Sequence, residues 1–179
     1  VVDLMTGMYA ATAILAALRH RDQSGEGQHI DIALVDCQVS WLVNEGTNYL
    51  LSGNMPVRRG NQHPNIVPYQ VFEASDGHLI VAVGNDAQYR RFCVLLKVPE
   101  LAVDAAFATN AARLSNRNAL IEKLGVLIKG WKRDDLIEGM EGLGIPCGPI
   151  NTLPQVFASD QVAARGMKVR MPYPGSKAG

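Results

Sequence analysis

From Ser52 to Pro68 the chain reads SGNMPVRRGNQHPNIVP, with three prolines and two glycines. Proline has no backbone N–H and a fixed φ, so neither a helix interior nor a central strand can run through this stretch. A long irregular connection inside a compact domain is uncommon. The sequence is therefore expected to fold as separate parts: residues 1–52, a linker over 53–67, a unit over 68–166, and a return segment over 167–179.

Ahead of the linker the hydrophobic period is helical. Leu4, Met8, Ala11, Leu15 and Leu18 are spaced four and three apart, which predicts a helix over residues 3–21 with one apolar stripe. Its many alanines favour helix and keep the rod slim. Asp3 stands at the expected N-cap, and Arg19, His20 and Arg21 stand in the last turn, so both ends suit the helix dipole. DQSGEGQ interrupts the pattern, and HIDIAL alternates, with Ile30, Ile32 and Leu34 on one face of an expected short strand. Asp36 is placed to cap a second helix running to about Leu51, with Trp41 on its buried side.

Beyond the linker the period changes to two. YQVFEA and HLIVAVG flank Asp76-Gly77, which predicts a β-hairpin. A helix is expected to start in NDAQYRRFCVLLK, with further helices near 111–130 and 133–143 and a short one around Pro154–Ala158. MKVRMPYP ends the chain as an expected returning strand. The order α–β–α, linker, β–β–α–α–α points to part of an α/β domain followed by a smaller α+β domain.

The 179 residues are 47% apolar and 19% charged, which suits a folded protein and not a disordered one. Seventeen basic residues balance seventeen acidic ones, so no overall field recruits nucleic acid or an anionic membrane. No apolar run is expected to be long enough to span a bilayer, and no signal peptide is visible. Cys37, Cys93 and Cys147 are far apart and odd in number, which fits a reducing, cytoplasmic setting and no disulfide framework. The lack of an initiator Met and the turn-like end MPYPGSKAG are what a piece of a longer chain would show.

Most motif readings fail on spacing. SGEGQ follows a helix and precedes a strand, the reverse of a dinucleotide fingerprint, and has no Gly-Lys-Ser/Thr, so it reads as a helix C-cap and turn. His20, His29, His63 and His78 lack ligand spacing to each other or to cysteine, so no metal site is expected. No G-x-S-x-G elbow occurs, and Cys147, between prolines, has no evident base. The acids remain. Asp3 is either a plain cap or a carboxylate able to attack an activated acyl carbon, and the two roles are compatible. Asp86, beside Asn85 and after Gly84, also precedes a helix, where capping is the simpler account.

Three stretches together carry a resemblance. DLMTGMYAATAILAALRHRDQSGEGQHIDIALVD is similar to an Asp–x–x–Thr–Gly helix, a Gly–x–Gly–Gln turn and an Ile–Asp strand. RRGNQHPNIVPYQVFEASDGHLIVAVGNDAQYRRFC is the second, and LGIPCGPINTLPQVFASDQVAARGM the third. In this order, from Val1 to about Met167, they resemble the CaiB–BaiF family, the family III CoA-transferases, whose relatives include α-methylacyl-CoA racemase. The resemblance implies a fragment of the CaiB–BaiF α/β fold: part of a Rossmann-like large domain, a linker and an α+β small domain, from a parent whose two subunits interlock as a homodimer. It makes Asp3 the catalytic nucleophile. It implies an acyl-CoA:carboxylate CoA-transferase working through an aspartyl-CoA thioester, with coenzyme A as substrate and no other cofactor. An α-methylacyl-CoA racemase, with Asp3 as a proton shuttle, and a non-catalytic structural fragment are the alternatives. Asn61 and His63 fall where the family has its active-site lid. Asn85 and Asp86 are carried over as substrate-binding candidates because VGNDAQY resembles the transferase members. RRGNQHPN departs from the Gly-rich lid of formyl-CoA transferases.

Overall fold

The computed structural model describes residues 1–171 and Gly175. The chain divides into two compact units, Val1–Arg58 and Arg59–Gly179.

The first unit is helical. α1 spans Val2–Ser24 and ends at Gly25, whose φ of 77° lets its N–H reach the Arg21 carbonyl at 2.8 Å. α1 starts one residue earlier than its sequence pattern predicts, because the Val1 carbonyl already accepts the Met5 N–H at 3.1 Å. Val1 is therefore the N-cap, and Asp3 lies within the first turn with no side-chain cap bond. The expected strand at HIDIAL does not form. Residues 26–33 carry no regular structure, since no neighbouring strand among the described residues offers them a hydrogen-bond ladder. Leu34 instead opens α2, Leu34–Val39, with Ala33 as N-cap, so Asp36 sits in the first turn and is not the cap. The second helix is also interrupted: a 3₁₀ turn, Ser40–Leu42, separates α2 from α3, Val43–Ser52. Trp41, expected on a buried side, is 43% exposed, and its Nε1–H donates to Tyr9 Oη at 3.2 Å.

No residue of α1, α2 or α3 is buried. Leu4, Met8, Leu15 and Leu18, the predicted stripe, all lie on the surface. The expectation that no apolar stretch could span a bilayer fails on length and composition, since α1 meets both measures. The reason is its alanine content, which raises hydropathy without bulk. A stripe meant for the core of a soluble protein meets the same test.

The second unit carries a mixed α/β fold. β1, Tyr69–Glu73, pairs antiparallel with β2, His78–Ala82, in the register Tyr69↔Ala82 to Glu73↔His78. The hairpin closes through Ala74 N–H to the Gly77 carbonyl at 2.8 Å. β3, Cys147–Pro149, adds to β2 with Ile80 opposite Gly148, a strand too short to carry a readable period. α4 (Asp86–Leu95), a 3₁₀ turn (Pro99–Ala102), α5 (Asn110–Ser115), α6 (Arg117–Lys129) and α7 (Arg133–Gly142) supply the helices. The single helix predicted near 111–130 is broken at Asn116, whose amide turns back to the Ala106 and Ala112 carbonyls. Asp76 Oδ1 accepts the Arg133 N–H at 2.8 Å, so the hairpin turn also ties down the start of α7. Phe72, Leu79, Val81, Phe92, Leu120, Leu124, Ile128, Leu136 and Met140 are among the residues that form the core. α8, Leu153–Ala158, is followed by an unforeseen α9, Asp160–Ala164, capped by Ser159 Oγ. The returning strand expected in MKVRMPYP falls partly on residues 172–174, outside the described residues, and residues 167–171 carry no strand.

Candidate functional site

Asp3 belongs to the first unit, and Asn61, His63, Asn85 and Asp86 belong to the second. Asp3 is exposed on the first turn of α1, where unpaired backbone N–H groups and the helix dipole favour a negative group. Thr6 and Gly7 follow three and four residues on, so they share its side of the helix. A Cβ placed on Gly7 would meet nothing within 4 Å, so the space at Gly7 is open. A separate cavity of about 270 Å³ lies along the seam of α1 and α2, lined by Val2, Met5, Cys37, Trp41 and their neighbours.

In the second unit the four candidates divide into two pairs. Asn61 Oδ1 accepts the Val71 N–H at 2.9 Å, anchoring the segment before β1 to that strand. His63 donates its backbone N–H to the Tyr69 carbonyl at 2.9 Å, while its ring stacks on the Tyr69 ring at 5.0 Å and accepts the Asn65 N–H on Nδ1 at 3.1 Å. Asn85 is the N-cap of α4, its Oδ1 accepting the Gln88 N–H at 2.9 Å. Asp86, the first residue of α4, does not cap. Its Oδ1 accepts from Arg113 at 2.8 Å.

Arg113 is the residue that sequence reasoning missed. It is fully buried, yet its guanidinium donates to the Val67 carbonyl at 2.6 Å, the Phe107 carbonyl at 3.0 Å and Asp86, and it lies 4.3 Å from the centre of the Tyr89 ring. One turn earlier, Asn110 accepts the Val67 N–H at 3.2 Å and donates to the Asn65 carbonyl at 2.9 Å. Arg117 donates to the His63 and Pro64 carbonyls at 2.9 and 3.0 Å. Three side chains from α5 and the start of α6 thus hold the His63–Val67 backbone, and one of them also holds Asp86. The four-residue spacing of Arg113 and Arg117 is the available sequence signal, and spacing alone does not show that either side chain is buried.

Titration behaviour matches burial. Burial first, and then the charge of Arg59, lowers the Arg117 pKa from its usual value. Burial pushes the Cys147 thiol up, with Glu141 adding to it, which disfavours the thiolate that a nucleophile would need. The Cys93 thiol and Tyr89 phenol are raised as well, chiefly by burial. Among the described residues no three His, Cys, Asp or Glu side chains converge to hold a metal ion.

Comparison with known proteins adds a family pattern to this geometry. A family described as CoA-transferase family III matches residues 1–178. The chain is 47% identical to a succinate–glutarate CoA-transferase of Agrobacterium fabrum, over 94% of this chain and 42% of the relative. It is 38% identical to the human succinyl-CoA:glutarate CoA-transferase, over 96% of this chain and 39% of that protein. A crystal structure of a CaiB/BaiF family protein from Brucella suis superposes with a TM-score of 0.75 and 51% identity, over 94% of this chain and 44% of the other. The chain spans less than half the length of these relatives.

Proposed function

Because the chain belongs to CoA-transferase family III, we propose that it works within a longer acyl-CoA:carboxylate CoA-transferase and that Asp3 is its nucleophile. The observation that carries this reading is an exposed carboxylate in the first turn of α1, at the head of the stretch that resembles the family's catalytic helix. An Asp3 oxygen attacks the carbonyl carbon of the donor thioester, the C–S bond breaks, and CoA leaves as the thiolate, giving a mixed anhydride. The thiolate attacks the Asp3 carbonyl, releasing the donor acid and leaving an aspartyl-CoA thioester. The acceptor carboxylate takes CoA by the same two steps in reverse, so one hard exchange becomes several easier ones.

The relatives named for succinyl-CoA and glutarate support four- and five-carbon dicarboxylic acids as the exchanged acids. An interlocked homodimer is part of the same proposal. So is a substrate-facing role for Asn61, His63, Asn85 and Asp86, of which His63 and Asp86 would be held by the bracing from Arg117 and Arg113.

The test uses the full-length gene product and its Asp3→Asn variant, with succinyl-CoA and glutarate. Loss of transfer at unchanged stability, and a borohydride- or hydroxylamine-trapped adduct on Asp3 in the parent enzyme, are expected. Exchange of the substrate α-hydrogen with heavy water, without an adduct or CoA transfer, would replace this reading with a racemase.

A further inference from the structure

Hydroxyls on helices usually return their hydrogen to a carbonyl one turn back. Thr12, Ser24, Ser52 and Ser115 do so here, with O···O distances of 3.0, 2.9, 2.7 and 3.2 Å. Thr6 departs from this. Its Oγ1 is shielded from solvent and has no hydrogen-bond partner, although Thr6 lies on a helix with no buried residue. A shielded, unpaired hydroxyl costs free energy and calls for an explanation.

Its position supplies one. Thr6 lies three residues after Asp3 on α1, and side chains three apart on a helix are neighbours, with Cβ atoms about 5–6 Å apart. The adjoining position, Gly7, leaves open space, so a bulky acyl or thioester group attached to Asp3 meets no side chain there. The hydroxyl is thus one turn from the proposed nucleophile, committed to no acceptor and protected from competing water.

We propose that Thr6 is a catalytic residue whose hydroxyl donates a hydrogen bond to the carbonyl oxygen of Asp3 while that carbon is under attack. This rests on Asp3 being the nucleophile. When the CoA thiolate adds to the Asp3 carbonyl carbon of the anhydride, a C–S bond forms and the C=O electron pair moves onto oxygen. When the intermediate collapses, that pair re-forms C=O, the C–O bond to the departing carboxylate breaks, and the donor acid leaves with the bonding electrons. Thr6 stabilises the transient oxyanion and transfers no proton. A donor held without a ground-state partner strengthens its interaction as charge develops, which is the condition for lowering a barrier. The same contact serves the acceptor half-reaction, because the same carbon is attacked again.

The test compares Thr6→Ser, Thr6→Val and Thr6→Ala with the wild type and Asp3→Asn in the full-length gene product. Circular dichroism and thermal melts confirm folding, and Thr6→Ala reads the same loss if the valine variant does not fold. Thr6→Ser should retain turnover within about threefold. The variants without a hydroxyl should lose on the order of 10²-fold in kcat, the usual effect of removing one oxyanion donor, with KM nearly unchanged. Wild-type kcat in Thr6→Val or Thr6→Ala overturns the proposal, as does a serine variant as slow as valine, which would assign the effect to packing. Full turnover in Asp3→Asn overturns the nucleophile and this proposal together, whereas an inactive Asp3→Asn beside a fully active Thr6→Val or Thr6→Ala overturns this proposal alone.

Discussion

Replacing Arg113 by methionine tests the organisation of the second unit most directly. Methionine roughly keeps the length of the side chain and fills the site, but removes every donor. The Val67 and Phe107 carbonyls then lose their Arg113 donor, and a buried acceptor left unsatisfied costs about 1–3 kcal/mol. The contact with Tyr89 adds about 0.5–2 kcal/mol. Asp86 contributes little, because its side chain is 39% exposed and water can replace the lost guanidinium. Against these losses, methionine removes the cost of holding a charge with no exposed surface. The net expectation is a destabilisation of about 2–4 kcal/mol. Arg113→Lys should fall between, since one ammonium cannot span three acceptors set in a fork. Asp86→Asn keeps an acceptor for Arg113 and should cost less than about 1 kcal/mol. Urea unfolding followed by the fluorescence of Trp131, in a Trp41→Phe background so that only the second unit reports, measures all three. If Arg113→Met unfolds within about 0.5 kcal/mol of wild type, the bracket argument is wrong and the segment before β1 is held by something else.

Three further outcomes follow from the same structure. Asn85→Ala should cost about 1 kcal/mol by removing the α4 cap while Asn85→Asp stays near neutral, read by the same urea melts. Tyr89, Cys93 and Cys147 have folded pKa values raised above those of the free phenol and thiol groups, chiefly by burial. The folded state therefore keeps protons that the unfolded chain gives up, and the stability present below about pH 9 should fall as pH rises beyond it. Tyr89→Phe should flatten that fall, and equal slopes in the two proteins would contradict the assignment. Finally, the 179-residue chain should self-associate and bind an apolar dye, because Leu4, Leu15, Leu50 and Leu51 are 77%, 68%, 83% and 84% exposed. Leu4→Glu with Leu15→Glu should reduce light scattering; a wild-type chain that stays monomeric and dye-free would refute it.

The legible parts of this protein are those whose cause lies within a few residues. The spacing of Leu4, Met8, Leu15 and Leu18 specifies α1 and alternation about Asp76-Gly77 specifies the hairpin, whereas the cap of α4, expected at Asp86, falls one residue earlier, on Asn85. The motif resemblance drew on the same local strings and led to the family. Periodicity failed where the outcome depends on a distant neighbour. HIDIAL alternates like a strand, but a strand exists only when another supplies its ladder, and without one Leu34 enters a helix. Cys147–Pro149 has no period to read and becomes a strand because the edge of β2 accepts it. The candidate site divides in the same way. Asp3, Asn61, His63, Asn85 and Asp86 could be picked from the string. Only the folded chain brings Arg113 onto Asp86, 27 residues away, and onto Val67, 46 away. The shielding that leaves the Thr6 hydroxyl unpartnered is likewise a property of three-dimensional packing. A buried guanidinium and an unpaired hydroxyl are defined by what surrounds them, and a sequence read along its length does not contain those surroundings.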